Sequence, residues 1–352
     1  MCQSCRIRFD VFIVERRFAL HIVPSYRDRT QNDEARKTGT EGGTIPYLTF
    51  GEHALATLRE RRQRMADREK KAATDPSADR IHDLRVACRR VSSAMTACAA
   101  AVELPPKVNP KYLTRLVKVV GRLRDLDVQE KILAEEVAPE LGTEAEPVLE
   151  PTRSDLRQRR SDAERKVTRA LTRPRHHRFA SAFDDWLAQP ELTHVATLPL
   201  EAVRADILLP ALAALLLHEA WPIDPKEALD AGAPRLHDLR KSARRMRYLG
   251  ECLEGSYGPE FAAWLGELAR VQDTLGSLHD SQLLIDYLSD LHGPGVTPRL
   301  SEAVRSRQQR ALADWSELRA RYLDPRWRAD LRAIVLGPTS APANTQSDTT
   351  TR

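Results

Sequence analysis

The residues best equipped to do chemistry are the cations of two short stretches, LHDLRKSARRMR at 236–247 and IHDLRVACRR at 81–90. On a helical wheel of ~100° per residue, Arg85 and Arg89 fall within about 60° of His82, while Leu84, Val91, Met95 and Cys98 cluster on the far side. The later stretch divides in the same way: His237, Arg240, Lys241 and Arg244 share one face, and Leu239, Met246 and Leu253 the other. Each stretch predicts an amphipathic helix with a cationic polar face. Other charged helices in the chain carry acids beside their bases, as at Glu60/Arg64 and Asp67/Lys71. No Asp or Glu stands three or four residues from Arg85, Arg89, Arg240 or Arg244. The like-charged pairs Arg85/Arg89 and Arg240/Arg244 each cost roughly 0.2–0.5 kcal/mol in an isolated helix. A sequence that accepts this cost twice is preparing a site for an anion; a solvated face neutralised by distant neighbours is the plainer alternative. The two histidines read either as ordinary hydrogen-bonded structural residues or as part of that site. Beside guanidinium groups both are expected to stay neutral, and a neutral imidazole can donate one hydrogen bond to a phosphate oxygen.

The two stretches are copies. His82 recurs as His237, 155 residues later, and Gly121, Leu123 and Asp125 recur at the same separation as Gly276, Leu278 and Asp280. Two matched blocks with no net gap indicate duplication of a unit longer than one helix. Around the second block lie further basic candidates: Arg115, Lys118, Arg122 and Arg124 in the first copy, Arg270 and His279 in the second. Asp125 and Asp280 read equally as carboxylates that orient motif arginines through the tertiary fold and as plain helix-surface residues.

The elements that must position these groups are helical. Ala, Leu, Arg and Glu dominate, aromatics make up 5%, and there are 15 Gly, where ordinary usage would give roughly 25. Helical periodicity starts near Phe50, with helices predicted at 50–73, through the first motif after Asp75-Pro76-Ser77, from Asn109-Pro110, and over 148–171 and 175–188. The second half predicts an apolar helix at 200–220, a cap pair at Asp224-Pro225, the motif helix from Pro234 to about Leu253 with a stop near Gly255 and Gly258, then 259–291, 298–323 and a short helix after Asp324-Pro325. Residues 1–48 form an extension in which Ile7, Phe9, Val11 and Ile13 alternate as in a strand or hairpin. Two helical halves follow at 49–190 and 198–336, and the polar 337–352 reads as a disordered tail.

Composition excludes several classes. The excess of Lys and Arg over Asp and Glu, 55 against 50, is modest, so the basic stretches matter more than the total. Five cysteines make no disulfide framework, and an odd count suits a reducing compartment. Cys2 and Cys5 form a lone CxxC without a second pair or a suitably spaced His, so neither a metal nor another cofactor is expected. The most apolar run, Ile207–Leu217, is broken by Pro210 and falls short of the roughly 20 residues a membrane span needs. Arg6, Arg8, Asp10 and Glu15 interrupt the apolar residues a signal peptide would group. A cytoplasmic protein is the expectation.

The motifs also have a family likeness. HxxRxxxRR from His82 to Arg90, HxxRKxxRRxRY from His237 to Tyr248 and the Gly-Leu-Asp block after each resemble the CHAD family, the conserved histidine α-helical domain, over about residues 50–335. The resemblance implies an all-α fold: an internally duplicated pair of helical bundles with pseudo-two-fold symmetry, whose basic helix faces converge on a central groove or pore. It implies binding of inorganic polyphosphate, association with polyphosphate granules, and no catalysis. Carried over by motif, the phosphate-contacting positions are His82, Arg85, Arg89 and Arg90, and His237, Arg240, Lys241, Arg244, Arg245 and Arg247. The first copy departs from the pattern at Ser92, where the second has Arg247, which lowers its expected share of the binding.

Two other classes share the electrostatics. A nucleic-acid binder would interleave aromatics with its cations, and here only Tyr248 does so. An enzyme acting on phosphoanhydrides would need carboxylates to hold Mg²⁺ beside the phosphates, and no clustered acidic motif accompanies the basic helices.

Overall fold

Capping residues set where the helices begin. In this computed structural model, which describes residues 48–142, 145–229, 232–292 and 298–337, α1 (Phe50–Thr74) opens on a reciprocal cap. The Thr49 hydroxyl accepts from the Glu52 amide at 3.2 Å, and the Glu52 carboxylate accepts from the Thr49 amide at 2.9 Å. α2 (Ala78–Ala97) carries the first motif. Asn109 caps α3 (Pro110–Ile132) through its side-chain oxygen, and Pro110 occupies the first turn, where no amide is needed. A π-helical turn at Leu133–Val137 leads through the short α4 (Ala138–Leu141) to α5 (Ala145–Thr172) and α6 (Pro174–Ala188). The second half comprises α7 (Leu200–Leu216), α8 (Ala233–Leu253) with the second motif, α9 (Pro259–His292), α10 (Pro298–Leu323) and α11 (Pro325–Leu336). Among the described residues no strand forms, and the fold is all-α. The strand-like stretch at 6–23, Cys2, Cys5 and the tail beyond Gly337 lie outside the described residues.

Three local details of the second half have physical reasons. The apolar helix expected at 200–220 forms as α7, ends at Leu216 and continues through Pro210. Leu208, Leu212, Leu215 and Leu216 are buried along it, and burying such side chains at about 1.5–3 kcal/mol each outweighs the ~3 kcal/mol a mid-helix proline costs. Asp224 does cap, accepting from the Lys226 amide at 2.9 Å, but the chain beyond it forms turns, because Ile223 and Ala228 are held in the core around them. α8 ends at Leu253, where its sequence predicts, and passes into a 3₁₀ turn at Glu254–Ser256, so that neither Gly255 nor Gly258 adopts a positive φ.

The packing brings the motifs together. α2 packs against α3 and against α8, α8 packs against α9, and α3 touches α9. The main core runs without interruption from Phe50 and Leu58 through Leu239 and Met246 to Leu331 and Val335, so both halves contribute to it. Inside it, the Trp221 ring stacks on Tyr322 at 4.3 Å and on Trp315 at 5.5 Å. A second, smaller core joins the end of α3 and the start of α5 to the end of α9 and the start of α10, through Ile132, Leu149, Leu284 and Val304. The paired starts of α1 and α7 also meet: the Phe50 amide donates to the Leu198 carbonyl at 2.8 Å, and the Leu200 amide to the Leu48 carbonyl at 3.0 Å.

One buried polar chain locks the first half. Arg62, 5% exposed, donates to Asp184 of α6 at 2.9 Å and lies 3.8 Å from Glu69. Glu69 in turn approaches His176 at 3.5 Å, and His176 is hydrogen-bonded to the Tyr112 hydroxyl at 2.7 Å. These side chains thereby tie α1 to both α6 and α3. No helix among the described residues is long and apolar enough to cross a membrane.

Candidate functional site

The repeated glycines explain how the motif arginines are laid down. Arg85 on α2 runs across Gly121 of α3, where a Cβ would stand 3.5 Å from its Nε. Arg240 on α8 runs across Gly276 of α9 more tightly, with Nη2 at 3.0 Å and Nε at 3.3 Å from such a Cβ. A side chain at Gly276 would compete with the Arg240 guanidinium for its bed, whereas a Cβ at Gly121 would meet Arg85 at ordinary contact distance. The aspartate one turn later completes the arrangement: Asp125 lies 3.6 Å from Arg85. Burial raises the Asp280 carboxyl above its ordinary value, and Arg240 is the neighbouring charge that most offsets this. The Arg240 Nε also donates to the Gln272 carbonyl at 3.4 Å. Of the two readings open for these aspartates, the structure supports the orienting one.

Arg89 and Arg244 lie one turn further along each motif helix and are placed differently. They make no ion pair or hydrogen bond among the described residues. Burial, and after it the repulsion of neighbouring arginines, lowers the Arg89 guanidinium to about 9 and that of Arg244 to about 10. Both remain protonated at neutral pH. The positive charges of Arg85, Arg89, Arg240 and Arg244 oppose one another in every pairing. Contact between α2 and α8 has therefore collected four guanidinium groups from two distant parts of the chain, with two carboxylates set behind the inner pair and none beside the outer pair.

The histidines flank this cluster through a second repeated pairing. His82 is set near Arg124, and His237 packs against His279 with ring centroids 4.1 Å apart and the planes tilted by 39°, Arg124 and His279 being equivalent by the 155-residue offset. Burial first, and then the neighbouring positive groups, lower His237 to about 4; His82 and His279 are lowered for the same reasons. His53 and His218 are also held below the ordinary histidine value, chiefly by burial. Histidines of the unfolded chain titrate at about 6.5, so below that pH it binds more protons than the folded protein, and stability must fall with falling pH. Differential scanning fluorimetry should accordingly show Tm dropping steadily from pH 7 towards pH 4. The slope should be shallower in His237→Gln, and an unchanged slope would contradict the assignment.

The remaining motif cations are not in the cluster. Arg90 of α2 donates to Glu251 at 2.8 Å, and Arg247 of α8 approaches the same carboxylate at 3.4 Å while lying over the Tyr248 ring. Glu251 thus clamps the two motif helices together. Because Arg247 is engaged there, Ser92 in the first copy removes a clamp residue and leaves the four-arginine cluster intact. Lys241 pairs with Asp238 at 2.8 Å, and Arg245 is exposed. Arg115, Lys118 and Arg122 are exposed on another face of α3, and Arg270 is exposed on α9. The Arg90–Glu251 pair spans 161 residues, and only the Arg247–Glu251 spacing of four residues gave any sign of it in the sequence.

Comparison with known proteins bears on the family and the fold. The sequence model of the CHAD domain matches residues 56–289. Among solved structures, the CHAD domain from the plant Ricinus communis is similar at 21% identity and a TM-score of 0.55, with 83% of this chain and 93% of that one covered. PptA from Streptomyces chartreusis is similar at 16% identity and a TM-score of 0.55, covering 78% of this chain and 98% of that one. At these identities the two structures speak to the fold alone. The search of curated proteins finds no match.

Proposed function

The chain belongs to the CHAD domain family, and from that premise we propose that its four-arginine cluster binds inorganic polyphosphate without transforming it. The observation that carries this reading is the convergence of Arg85, Arg89, Arg240 and Arg244, with the outer two lacking any acidic partner among the described residues. A linear phosphate polymer offers closely spaced charge and no bases, so its recognition calls for cations in register. Arginine meets phosphate oxygens through a fixed fork of donors. Neutral His82 and His237 at the rim can each add one hydrogen bond. Tyr248 is buried in the core, which leaves no exposed aromatic platform among the motif residues of the kind a single-stranded nucleic acid stacks on.

Titration of the purified protein with long-chain polyphosphate, tripolyphosphate and single-stranded DNA at near-physiological salt tests the proposal. Long polyphosphate should bind at least about tenfold more tightly than DNA of equal charge, with affinity falling linearly in log–log plots against salt. Equal affinity for DNA would favour a general polyanion binder instead. Release of orthophosphate from polyphosphate by the purified protein, with or without Mg²⁺, would overturn the non-catalytic half of the proposal. In cells, a fluorescent fusion is expected to collect on polyphosphate granules.

A further inference from the structure

Away from the cluster, α3 and α5 form a groove of about 630 Å³ whose lining includes Arg122, Lys166, Arg169 and Arg173. The two helices run antiparallel, as the cross-pairs Arg160–Asp127 at 2.9 Å and Arg153–Glu130 at 3.6 Å establish. Continuing that register, in which each step forward on α5 is matched by a step back on α3, sets Lys166 opposite Arg122 and Arg169 opposite Lys118. Arg173, at the α5–α6 junction, then comes opposite Arg115. On α3 the three cations follow i, i+3, i+7 and lie within about 60° of one another; Arg122 lines the groove, and Lys118 and Arg115 continue its face beyond the groove's end. Rungs of such a ladder are separated by roughly 5 Å along the helix axes. All six side chains belong to exposed residues, and none makes an ion pair among the described residues.

The α9 acids of the groove lie at its other end. Tyr287 donates to Asp155 at 2.6 Å and carries Arg159 over its ring at 4.9 Å, which puts the α9 wall with Asp286 and Asp290 beside the early part of α5. Asp125 lies between the ladder and the face of Gly121, already turned towards Arg85. The second copy has no such feature: the positions equivalent to Lys118 and Arg122 are Asp273 and Ser277.

We propose that this cationic ladder is a second polyanion track, confined to the first half, which engages polyphosphate chains long enough to extend beyond the four-arginine cluster. The inference rests on the polyphosphate reading above and adds to it a basis for chain-length preference. Phosphates held at the cluster pass around α3 on the Asp125 side and continue between α3 and α5, each rung offering two cations to the polymer. Short chains end before reaching it.

The test is a variant carrying Arg115→Ala, Lys118→Ala, Lys166→Ala and Arg169→Ala, all at exposed helical positions where alanine favours the helix. Circular dichroism and Tm should match the unaltered protein. Tripolyphosphate affinity is expected to stay within about twofold, while long-chain affinity falls at least about tenfold and the salt slope shrinks by about 3. Equal losses for short and long chains, or no loss for either, would overturn the separate track while leaving the cluster standing. An unaltered protein that binds neither polymer would sink the parent reading and this one with it. A second variant, Lys166→Glu/Arg169→Glu, should deepen the long-chain loss, and retention of full affinity there would also count against the track.

Discussion

Replacing Arg89 and Arg244 with glutamate is expected to weaken long-chain polyphosphate binding at least about 100-fold while leaving the protein no less heat-stable. Hydrogen bonds between charged groups contribute about 1.5–3 kcal/mol each, so losing two and adding two repulsive carboxylates exceeds the ~2.7 kcal/mol that a hundredfold change represents. The stability half of the expectation follows from the apo geometry. Arg89 and Arg244 are surrounded by Arg85 and Arg240 and have no acidic partner among the described residues. Glutamates there would gain attractive neighbours in place of repulsive ones. Arg240 is left alone in this variant because it serves Asp280, and reversing it would mix a folding defect into the result. The same charge change at exposed Arg326 and Arg332 of α11 is the control, expected to alter affinity by less than about threefold. Calorimetric titration and thermal melts decide the matter. Weakened binding with a collapsed Tm would mean that these arginines hold the fold together, and undiminished binding would mean that the anion sits elsewhere.

Arg62→Ala should be the most damaging single truncation in the buried polar chain, lowering stability by about 3–5 kcal/mol because it strands a carboxylate deep in the protein. Asp184, half exposed, can turn to water, but Glu69 at 11% exposure cannot. In Tm this corresponds to a drop of roughly 10 °C. The double variant Arg62→Leu/Glu69→Leu should recover much of the loss, since removing both charges abolishes the stranded one. Chemical denaturation of the two variants side by side would expose an error in this account: additive losses mean that Arg62 acts through its packing.

The sequence was informative wherever the physics is local. Helical periodicity and cap pairs such as Asn109-Pro110 and Asp324-Pro325 placed helix starts to within a residue or two. The wheel separated the cationic from the apolar face of both motifs, and the 155-residue repeat linked Gly121 and Gly276 before their role as beds for Arg85 and Arg240 was visible. Long-range choices were not legible. Nothing in either motif says that Arg90 will turn away to Glu251 while Arg89, its neighbour, stays in the cluster. The α3–α5 ladder likewise depends on an antiparallel register fixed by Asp127 and Arg160.

The core that runs unbroken from Phe50 to Val335 has a bearing on which changes the chain can tolerate. The two halves keep no separate interiors: Leu58 and Val91 from one and Leu239 and Met246 from the other line a common one. Neither half can shrink or be lost without exposing the other, so surface arginines can differ between the halves where the residues beneath them cannot. The ladder on one half, opposed by Asp273 and Ser277 on the other, is the kind of asymmetry that such a shared interior permits.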